Sequence, residues 1–280
     1  MLTLKRLATL MLIVFCCSIS IAQHTESNIV YQEDLVYGRV HGAGLLADVA
    51  YPKPPHKKPL AAIISVHGGR WRGGRKTDNS TIKVKQWAEF GFFAMSIDYR
   101  LVGCTPAPAC YQDLQCAIRF VHAHAKKYNI DTDHIFLIGQ SAGGHMVSLA
   151  ATLGDGKFRR TGGWEKEKND FRAVISVAAN YKLTTLSWGN IWTPSNGDAT
   201  EARKYASPVN HVRRDMRPLL IIHADNDRSV PIDNALMMVN SLKKAGATHT
   251  FHRYENAGHM GITDEVIKRS LEFINAHSAR

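Results

Sequence analysis

A serine stands at the centre of the one stretch of this sequence with a clear chemical signature. Residues 135–146 read IFLIGQSAGGHM, in which an apolar run typical of a strand leads through Gly-Gln-Ser-Ala-Gly into an apolar helical pattern. At such a junction the pattern G-x-S-x-G predicts a sharp turn that exposes the serine hydroxyl above a sheet. Gly139 and Gly143 are needed there because side chains would collide with the neighbouring strand and helix. We therefore expect Ser141 to be a nucleophile.

A serine hydroxyl becomes a good nucleophile only when a base removes its proton and a carboxylate orients that base. His259 follows a predicted strand that ends at Tyr254, which is where the base is required. Most of the other histidines are interpreted as solvated or structural. We therefore predict that His259 is the base.

Two carboxylates, Asp225 and Asp227, are candidates for the acid, in the segment HADNDRSVP that follows another predicted strand. We favour Asp227, because Asp-x-x-Val-Pro places it at the tip of the loop before a helix. Asp225 lies closer to the strand and is expected to make hydrogen bonds within the loop. The resulting chain order of serine, acid and histidine is the order that this kind of nucleophile turn requires.

Negative charge that develops on a substrate oxygen must be met by backbone N–H donors. Ala142, directly after the nucleophile, is one expected donor. Gly69 and Arg70, in a glycine-containing loop that follows a buried strand, are the others. His67 and Trp71 of the same loop are predicted to line the substrate site. The alternative for both is that their rings hold the loop in place from beneath.

Strands and helices alternate along the chain, which predicts an α/β fold with one doubly wound, mostly parallel sheet flanked by helices. The expected strands are 28–40, 44–51, 60–66, 92–98, 135–138, 171–178, 218–223 and 249–254. The expected helices are 81–90, 111–128, 232–245 and 263–276, besides the one after Ser141. Residues 180–208 are irregular and contain two tryptophans, so we interpret them as a small cap or loop over the site.

The first 22 residues differ in character from the rest of the chain. Two basic residues precede a short apolar run, and the small residues Ser20 and Ala22 stand at the −3 and −1 positions of a cleavage site, as in a secretory signal peptide. We predict cleavage after Ala22, a single domain over residues 23–280, and a secreted or periplasmic protein. A lipoprotein signal is the alternative, because Cys16 and Cys17 lie near the end of the run. The run is too short for stable insertion across a membrane.

Composition excludes several classes of function. The net charge of +11 could suit anionic partners, but the basic residues are scattered apart from a cluster within residues 70–76. No nucleic-acid-binding motif accompanies them, so we expect no nucleic-acid partner. No H-E-x-x-H or paired C-x-x-C pattern is present, so we expect neither a metal nor another cofactor. The basic cluster leaves room for a substrate that carries an acid.

Two of the cysteines bracket a short proline-containing loop. Cys104 and Cys110 could form a disulfide in an oxidising compartment or remain as free thiols. Cys116, within a helical pattern, is expected to be a small buried residue.

Five motifs together resemble those of the α/β-hydrolase esterases and lipases, and they occur in that family's order. They are His67-Gly-Gly-x-Trp71, Asp98-Tyr-Arg-Leu101, Gly139-Gln-Ser-Ala-Gly-Gly-His145, Asp227-x-x-Val-Pro231 and Gly258-His259. The sequence looks most similar to the bacterial feruloyl-esterase-like and acetyl-xylan-esterase-like branch, from Leu45 to the C-terminus. The resemblance implies the α/β-hydrolase fold and hydrolysis of small acyl or aryl esters through an acyl-enzyme, without a cofactor. Acetyl or feruloyl groups on plant polysaccharide are the implied saccharide-linked substrates.

Two positions depart from the family pattern. Arg70 stands where the hormone-sensitive-lipase-like branch has a third glycine, so the motif His67-Gly-Gly-x-Trp71 looks more like that of kynurenine-formamidase-type enzymes. Ala224 stands in place of the usual glycine after His223. Amide hydrolysis of the arylformamidase type is therefore an alternative function, and amide hydrolysis of the prolyl-oligopeptidase-like type is another, because that group shares the Gly-x-Ser-x-Gly-Gly motif. A non-catalytic binding protein with the hydrolase fold is an alternative of another class. Four properties stay open at this point: the acyl and alcohol specificity, the preference for esters or amides, the oligomeric state, and whether residues 180–208 act as a lid.

Overall fold

Strands and helices alternate throughout the part of the chain that the computed structural model describes, residues 28–55 and 57–278. The strands are β1 (Ile29–Val40), β2 (Ala43–Pro52), β3 (Leu60–Val66), β4 (Phe93–Ile97), β5 (Ile130–Gln140), β6 (Ala173–Val177), β7 (Leu219–Ala224) and β8 (His249–Tyr254). The helices are α1 (Val84–Glu89), α2 (Ala109–Ala123), α3 (Ala125–Tyr128), α4 (Ala142–Leu153), α5 (Ala199–Tyr205), α6 (Asp233–Ala245) and α7 (Asp264–Ser278). The predicted signal peptide and its cleavage site lie outside the described residues.

The strands form one sheet in the order β1-β2-β4-β3-β5-β6-β7-β8. The hairpin of β1 and β2 is antiparallel, as is the pairing of β2 with β4, and every later pairing is parallel. The central strands β4 and β6 are buried at every residue and are apolar except for one serine in each, as expected for strands with both faces covered. This is the predicted α/β-hydrolase fold. Since β3, β5, β7 and β8 run parallel, the loops after them meet at one edge of the sheet.

Helices cover both faces of the sheet, and each face has its own apolar core. On one face the buried core includes Tyr111 of α2, Met146 of α4 and Met238 of α6. On the other face it includes Trp87 of α1 and Phe273 of α7. The sheet is therefore a rigid base for the loops at its carboxyl edge.

The prediction of one continuous helix over residues 111–128 is wrong. The helix breaks at His124, whose φ of −108° and ψ of 9° lie outside the helical region, and α3 then begins. The side chain of His124 donates from Nδ1 to the carbonyl of Phe120, four residues earlier. A local side-chain hydrogen bond of this kind competes with regular helix geometry, and the apolar spacing of the sequence does not reveal it.

Residues 180–208 are irregular as predicted over most of their length, but they also contain α5. Its N-cap is Asp198, whose carboxylate accepts hydrogen bonds from the N–H groups of Thr200 and Glu201. The segment is fixed to the hydrolase core by His145, which donates from Nε2 to the carbonyl of Ala206 at 2.8 Å. It therefore packs beside the carboxyl edge of the sheet as an anchored insertion.

All three cysteines of the described part of the chain are free thiols. Cys104 is exposed in a turn, whereas Cys110 and Cys116 are buried on α2. The structure therefore shows the second of the two alternatives for Cys104 and Cys110.

Gly143 lies where α4 meets the end of β3, and the packing there leaves no room for a side chain. A Cβ atom at this position would be 2.1 Å from the carbonyl oxygen of Val66. We predict that Gly143→Ala lowers the free energy of unfolding by about 3 kcal/mol or prevents folding, because two backbone segments must move apart. Urea unfolding measures the change. As a control, Gly103→Ala should have an effect under about 0.5 kcal/mol, since no atom lies within 4 Å of its new Cβ. Equal losses in both variants would contradict this packing argument.

Candidate active site

Ser141 occupies the turn between β5 and α4 in a strained backbone conformation. Its φ is 54° and its ψ is −114°, a region that residues other than glycine rarely adopt. Two backbone hydrogen bonds hold the turn: Ser141 N–H donates to the carbonyl of Val177 at 2.8 Å, and its own carbonyl accepts from His145 N–H at 2.9 Å. The structure thus places the predicted nucleophile at the carboxyl edge of the sheet, with α4 beginning directly behind it.

Asp227 and His259 meet in a short hydrogen bond, with 2.8 Å between Asp227 Oδ2 and His259 Nδ1. The other carboxylate oxygen accepts from the N–H groups of Ser229 and Val230 at 2.8 and 2.9 Å. Burial raises the pKa of the Asp227 carboxyl, but the hydrogen bonds from His259 and from the loop outweigh burial and hold that pKa below its usual value. An ionised Asp227 keeps the proton on Nδ1 of His259 and leaves Nε2 to accept one.

Asp225, the other candidate for the acid, points away from the base. Its carboxylate accepts a hydrogen bond from Nε of Arg253 at 2.5 Å on the protein surface. The structure therefore brings Asp227, and not Asp225, to His259.

A buried histidine contacts the loop of residues 225–231, which carries Asp227 and which we call the acid loop. His223 donates from Nε2 to the carbonyl of Val230 at 2.8 Å, and the same nitrogen lies 3.5 Å from Asp227 Oδ2. Burial lowers the pKa of His223, although the hydrogen bond to Val230 acts in the opposite direction. We interpret His223 as a neutral ring that fixes the shape of the loop.

Two side chains that the sequence analysis did not single out connect the loops of the site. Gln140 donates from Nε2 to the carbonyl of Met260 at 2.9 Å, so the residue before the nucleophile binds the residue after the base. Asn226 Oδ1 accepts from the N–H of Gly258 at 2.7 Å. This bond joins the acid loop to residues 255–262, which carry His259 and which we call the base loop. The only sequence signal for either residue is its position next to a predicted catalytic residue.

The Ser141 hydroxyl and the His259 ring lie in loops joined by these bonds, and the ring is 28% exposed. Among the hydrogen bonds of the described residues, none involves Ser141 Oγ. Catalytic hydrogen bonds of this type commonly tighten only when substrate is bound. Proton transfer from Ser141 to His259 therefore stays a prediction.

Two of the predicted oxyanion donors, Gly69 and Arg70, lie in a loop with an unusual backbone, residues 67–74, which we call the oxyanion loop. Gly69, Arg70 and Trp71 have successive positive φ values of 103°, 54° and 58°. Consecutive left-handed residues are strained, and concave runs of backbone N–H groups bind anions. Within the described residues, the N–H groups of Gly69, Arg70 and Ala142 donate to no protein acceptor. They are therefore free to bind an oxygen that becomes negatively charged.

The rings of His67 and Trp71 lie beneath this loop. His67 donates from Nδ1 to the carbonyl of Gly68 at 2.6 Å and stacks on Tyr99 with 4.0 Å between ring centroids. Trp71 is fully buried and packs edge-on against Trp192. Both rings hold the loop in place, which is the alternative interpretation given above. Direct contact of either ring with substrate stays a prediction.

A cleft of about 740 Å³ opens near the first residues of α1 and α7. Gly261 and Ile262, just after the base, line it, but Ser141, Asp227 and His259 do not. The catalytic side chains are therefore outside this cleft.

Residues 28–55 and 57–278 contain neither a cluster of metal ligands nor a membrane-spanning helix. No group of three or more His, Cys, Asp or Glu side chains there is placed to hold a metal ion. No helix in the same part of the chain is long and apolar enough to cross a membrane.

The chain also matches a known protein family. The BD-FAE family matches residues 47–242, which include Gly69, Ser141 and Asp227. The chain belongs to the BD-FAE family.

Relatives of this BD-FAE chain include two proteins of Mycobacterium tuberculosis (strain ATCC 25618 / H37Rv). The probable carboxylic ester hydrolase LipM is 28% identical over 75% of this chain and 51% of its own length. The esterase LipC is 26% identical over 82% of this chain and 60% of its own length. The chain thus spans about half the length of the curated relatives it matches.

Solved structures share the fold. A carbohydrate esterase from gut microbiota, in truncated form, has a TM-score of 0.78 and 24% identity, covering 91% of this chain and 99% of its own. Esterase 2 of Thermogutta terrifontis, with butyrate bound, has a TM-score of 0.75 and 22% identity over 88% of this chain and 94% of its own. At these identities the likeness supports the fold alone.

We predict that Asp227→Asn lowers kcat by about 10⁴-fold, because an amide no longer holds His259 in the tautomer that can accept a proton. Steady-state hydrolysis of an activated ester measures the effect. Asp225→Asn is the matched control, since it removes a carboxylate from the same loop without touching the base. Comparable losses in the two variants would show that Asp227 has no special role.

Asp227→Asn should also change how the free energy of unfolding depends on pH. Because the folded-state pKa of Asp227 is below its unfolded value of about 3.9, its contribution is complete above that value and is lost as pH falls through the folded pKa. Urea unfolding at a series of pH values from 6 down to about 2.5 measures it. The decline at the acid end should be shallower for Asp227→Asn than for the parent. Parallel curves would contradict the lowered pKa.

Proposed function

We propose that this protein is an exported serine hydrolase that cleaves carboxylic esters of small acyl or aryl groups through an acyl-enzyme. The observation that carries the proposal is the hydrogen bond between Asp227 and His259, in a loop that Gln140 joins to the strained turn at Ser141. The free N–H groups of the oxyanion loop and the names of the relatives LipM and LipC support it.

The proposed reaction has two halves. Ser141 Oγ attacks the ester carbonyl carbon while His259 Nε2 takes the hydroxyl proton, and the carbonyl oxygen becomes an oxyanion bound by backbone N–H groups. The ester C–O bond then breaks, and the proton passes from His259 to the departing alcohol. In the second half, water attacks the acyl-enzyme, His259 takes a proton from that water, and the acid leaves as the proton returns to Ser141. Asp227 remains ionised throughout and stabilises the imidazolium.

Acetyl and feruloyl groups on plant polysaccharide are the substrates that we propose within this class. The resemblance of the motifs to the feruloyl- and acetyl-xylan-esterase-like branch supports this. So does the name of the structural neighbour from gut microbiota, a carbohydrate esterase. The proposal of export depends on the signal-like character of the first 22 residues.

We expect Ser141→Ala to lower kcat for p-nitrophenyl acetate by about 10⁴-fold or more, since the nucleophile is removed while the donors remain. The release of p-nitrophenolate at 405 nm follows the reaction. Ser195→Ala, in an exposed part of the insertion, is the control and should keep the parental rate. If Ser141→Ala hydrolysed the ester as fast as the parent, the proposed function would be wrong.

A further inference from the structure

Three arginines in the loops of the site have no carboxylate partner among the described residues: Arg70, Arg72 and Arg228. All three are exposed. Their basic neighbours in the sequence behave differently, because Arg75 pairs with Asp78 and Lys76 pairs with Asp34 and Asp48. Within the basic cluster of residues 70–76, Arg75 and Lys76 therefore have carboxylate partners, whereas Arg70 and Arg72 have none among the described residues.

Arg70 lies over an aromatic ring that belongs to the insertion. The central carbon of its guanidinium is 5.5 Å from the centroid of the Trp188 ring. Trp188 in turn donates from Nε1 to the carbonyl of Ser229 at 3.0 Å. Arg228 directly precedes Ser229 in the chain, so Trp188 contacts the guanidinium of Arg70 and also binds the backbone next to Arg228.

The acidic groups around these loops do not neutralise the two arginines. Asp225 is bound to Arg253, and Asp227 is bound to His259. Glu255, four residues before the base, is exposed and forms no ion pair within the described part of the chain. The edge of the site between the oxyanion loop and the acid loop is therefore positively charged.

We propose that Arg70 and Arg228 form a carboxylate subsite, so that the preferred substrates are esters that also carry a carboxylate close to the scissile bond. The inference rests on the proposed function. A guanidinium presents a planar set of donors that matches a carboxylate in two parallel hydrogen bonds. The cation–π contact with Trp188 restricts the exposed Arg70 side chain, which reduces the entropy lost on binding.

The test compares an anionic acetate ester with a neutral one. 4-Acetoxybenzoate and methyl 4-acetoxybenzoate share the acetyl group and the ring, and only the first is anionic. We expect the parent to favour the anionic ester in kcat/KM by about tenfold or more, the effect of a charge-assisted hydrogen bond. The preference should decrease with added salt, because exposed charges are screened.

Arginine variants then locate the preference. Arg70→Gln keeps the backbone N–H of the oxyanion loop, and Arg228→Gln leaves the acid in place. Each should lower the anionic-to-neutral ratio by about five- to tenfold, and Arg70→Lys should retain part of it because a lysine keeps the charge without the planar donors. Arg214→Gln, an exposed arginine without a partner in the described residues, is the matched control and should keep the parental ratio.

A second pair of esters distinguishes the two natural sources of a carboxylate. The first pair tests an aromatic acid. The second pair tests a uronate: it consists of O-acetylated methyl galacturonoside, which is anionic, and O-acetylated methyl galactoside, which is neutral. A charge preference in either pair that is lost in Arg70→Gln and Arg228→Gln supports the subsite and names its source. A ratio near one in both pairs, or a ratio that the two variants leave unchanged, would overturn it.

Binding to an inactive variant separates this proposal from the proposed function. Calorimetric titration of Ser141→Ala with 4-acetoxybenzoate measures affinity without hydrolysis. We expect binding that is tighter than for the methyl ester and is weakened by Arg70→Gln. If the parent hydrolysed neither ester while this binding preference was present, the proposed function would be wrong and the subsite would stand. Equal affinities for the two esters would overturn the subsite.

Discussion

The backbone at Ser141 turns through the left-handed region between β5 and α4, and the rest of the site depends on that turn. The strain is of the order of 1–3 kcal/mol, and it is sustained by the bond from Ser141 N–H to Val177 and by the helix that begins behind it. Gly143 permits α4 to approach the end of β3 so closely that the nucleophile and the oxyanion loop lie side by side. The same contact therefore positions the hydroxyl that we propose as the attacking group and the N–H groups that we propose as donors to the developing charge.

The sheet brings the loops of the site to one edge, and side-chain hydrogen bonds then fix these loops to one another. Gln140 connects the nucleophile to the base loop, Asn226 connects the acid loop to the base loop, and Trp188 connects the insertion to the acid loop. Each bond spans loops that are distant in sequence but adjacent at the sheet edge. Residues on such loops can be held to within a fraction of an ångström only when neighbouring side chains fix them, which is the requirement for proton transfer.

The sequence predicts the sheet well, and it places Asp227 and His259 after the strands whose loops meet, because both depend on local patterns. The strands 60–66 and 249–254 agree with β3 and β8, since buried apolar runs and alternating patterns are direct signatures. The break at His124 and the helix capped by Asp198 were not predicted, although Asp198 with Glu201 three residues later is a recognisable helix start. The link from Gln140 to Met260 could not be foreseen, because it joins residues 120 apart and no local pattern encodes it.

Covalent labelling with a fluorophosphonate probe tests the central claim most directly, because it requires an activated serine but no knowledge of the natural ester. Peptide mass spectrometry after labelling should find one adduct for each chain, on the peptide that contains Ser141, and labelling should be much slower when the Asp227 carboxylate is replaced by an amide. A protein that stays unlabelled under conditions in which a known serine esterase reacts fully, or that carries the adduct on another residue, would contradict the account.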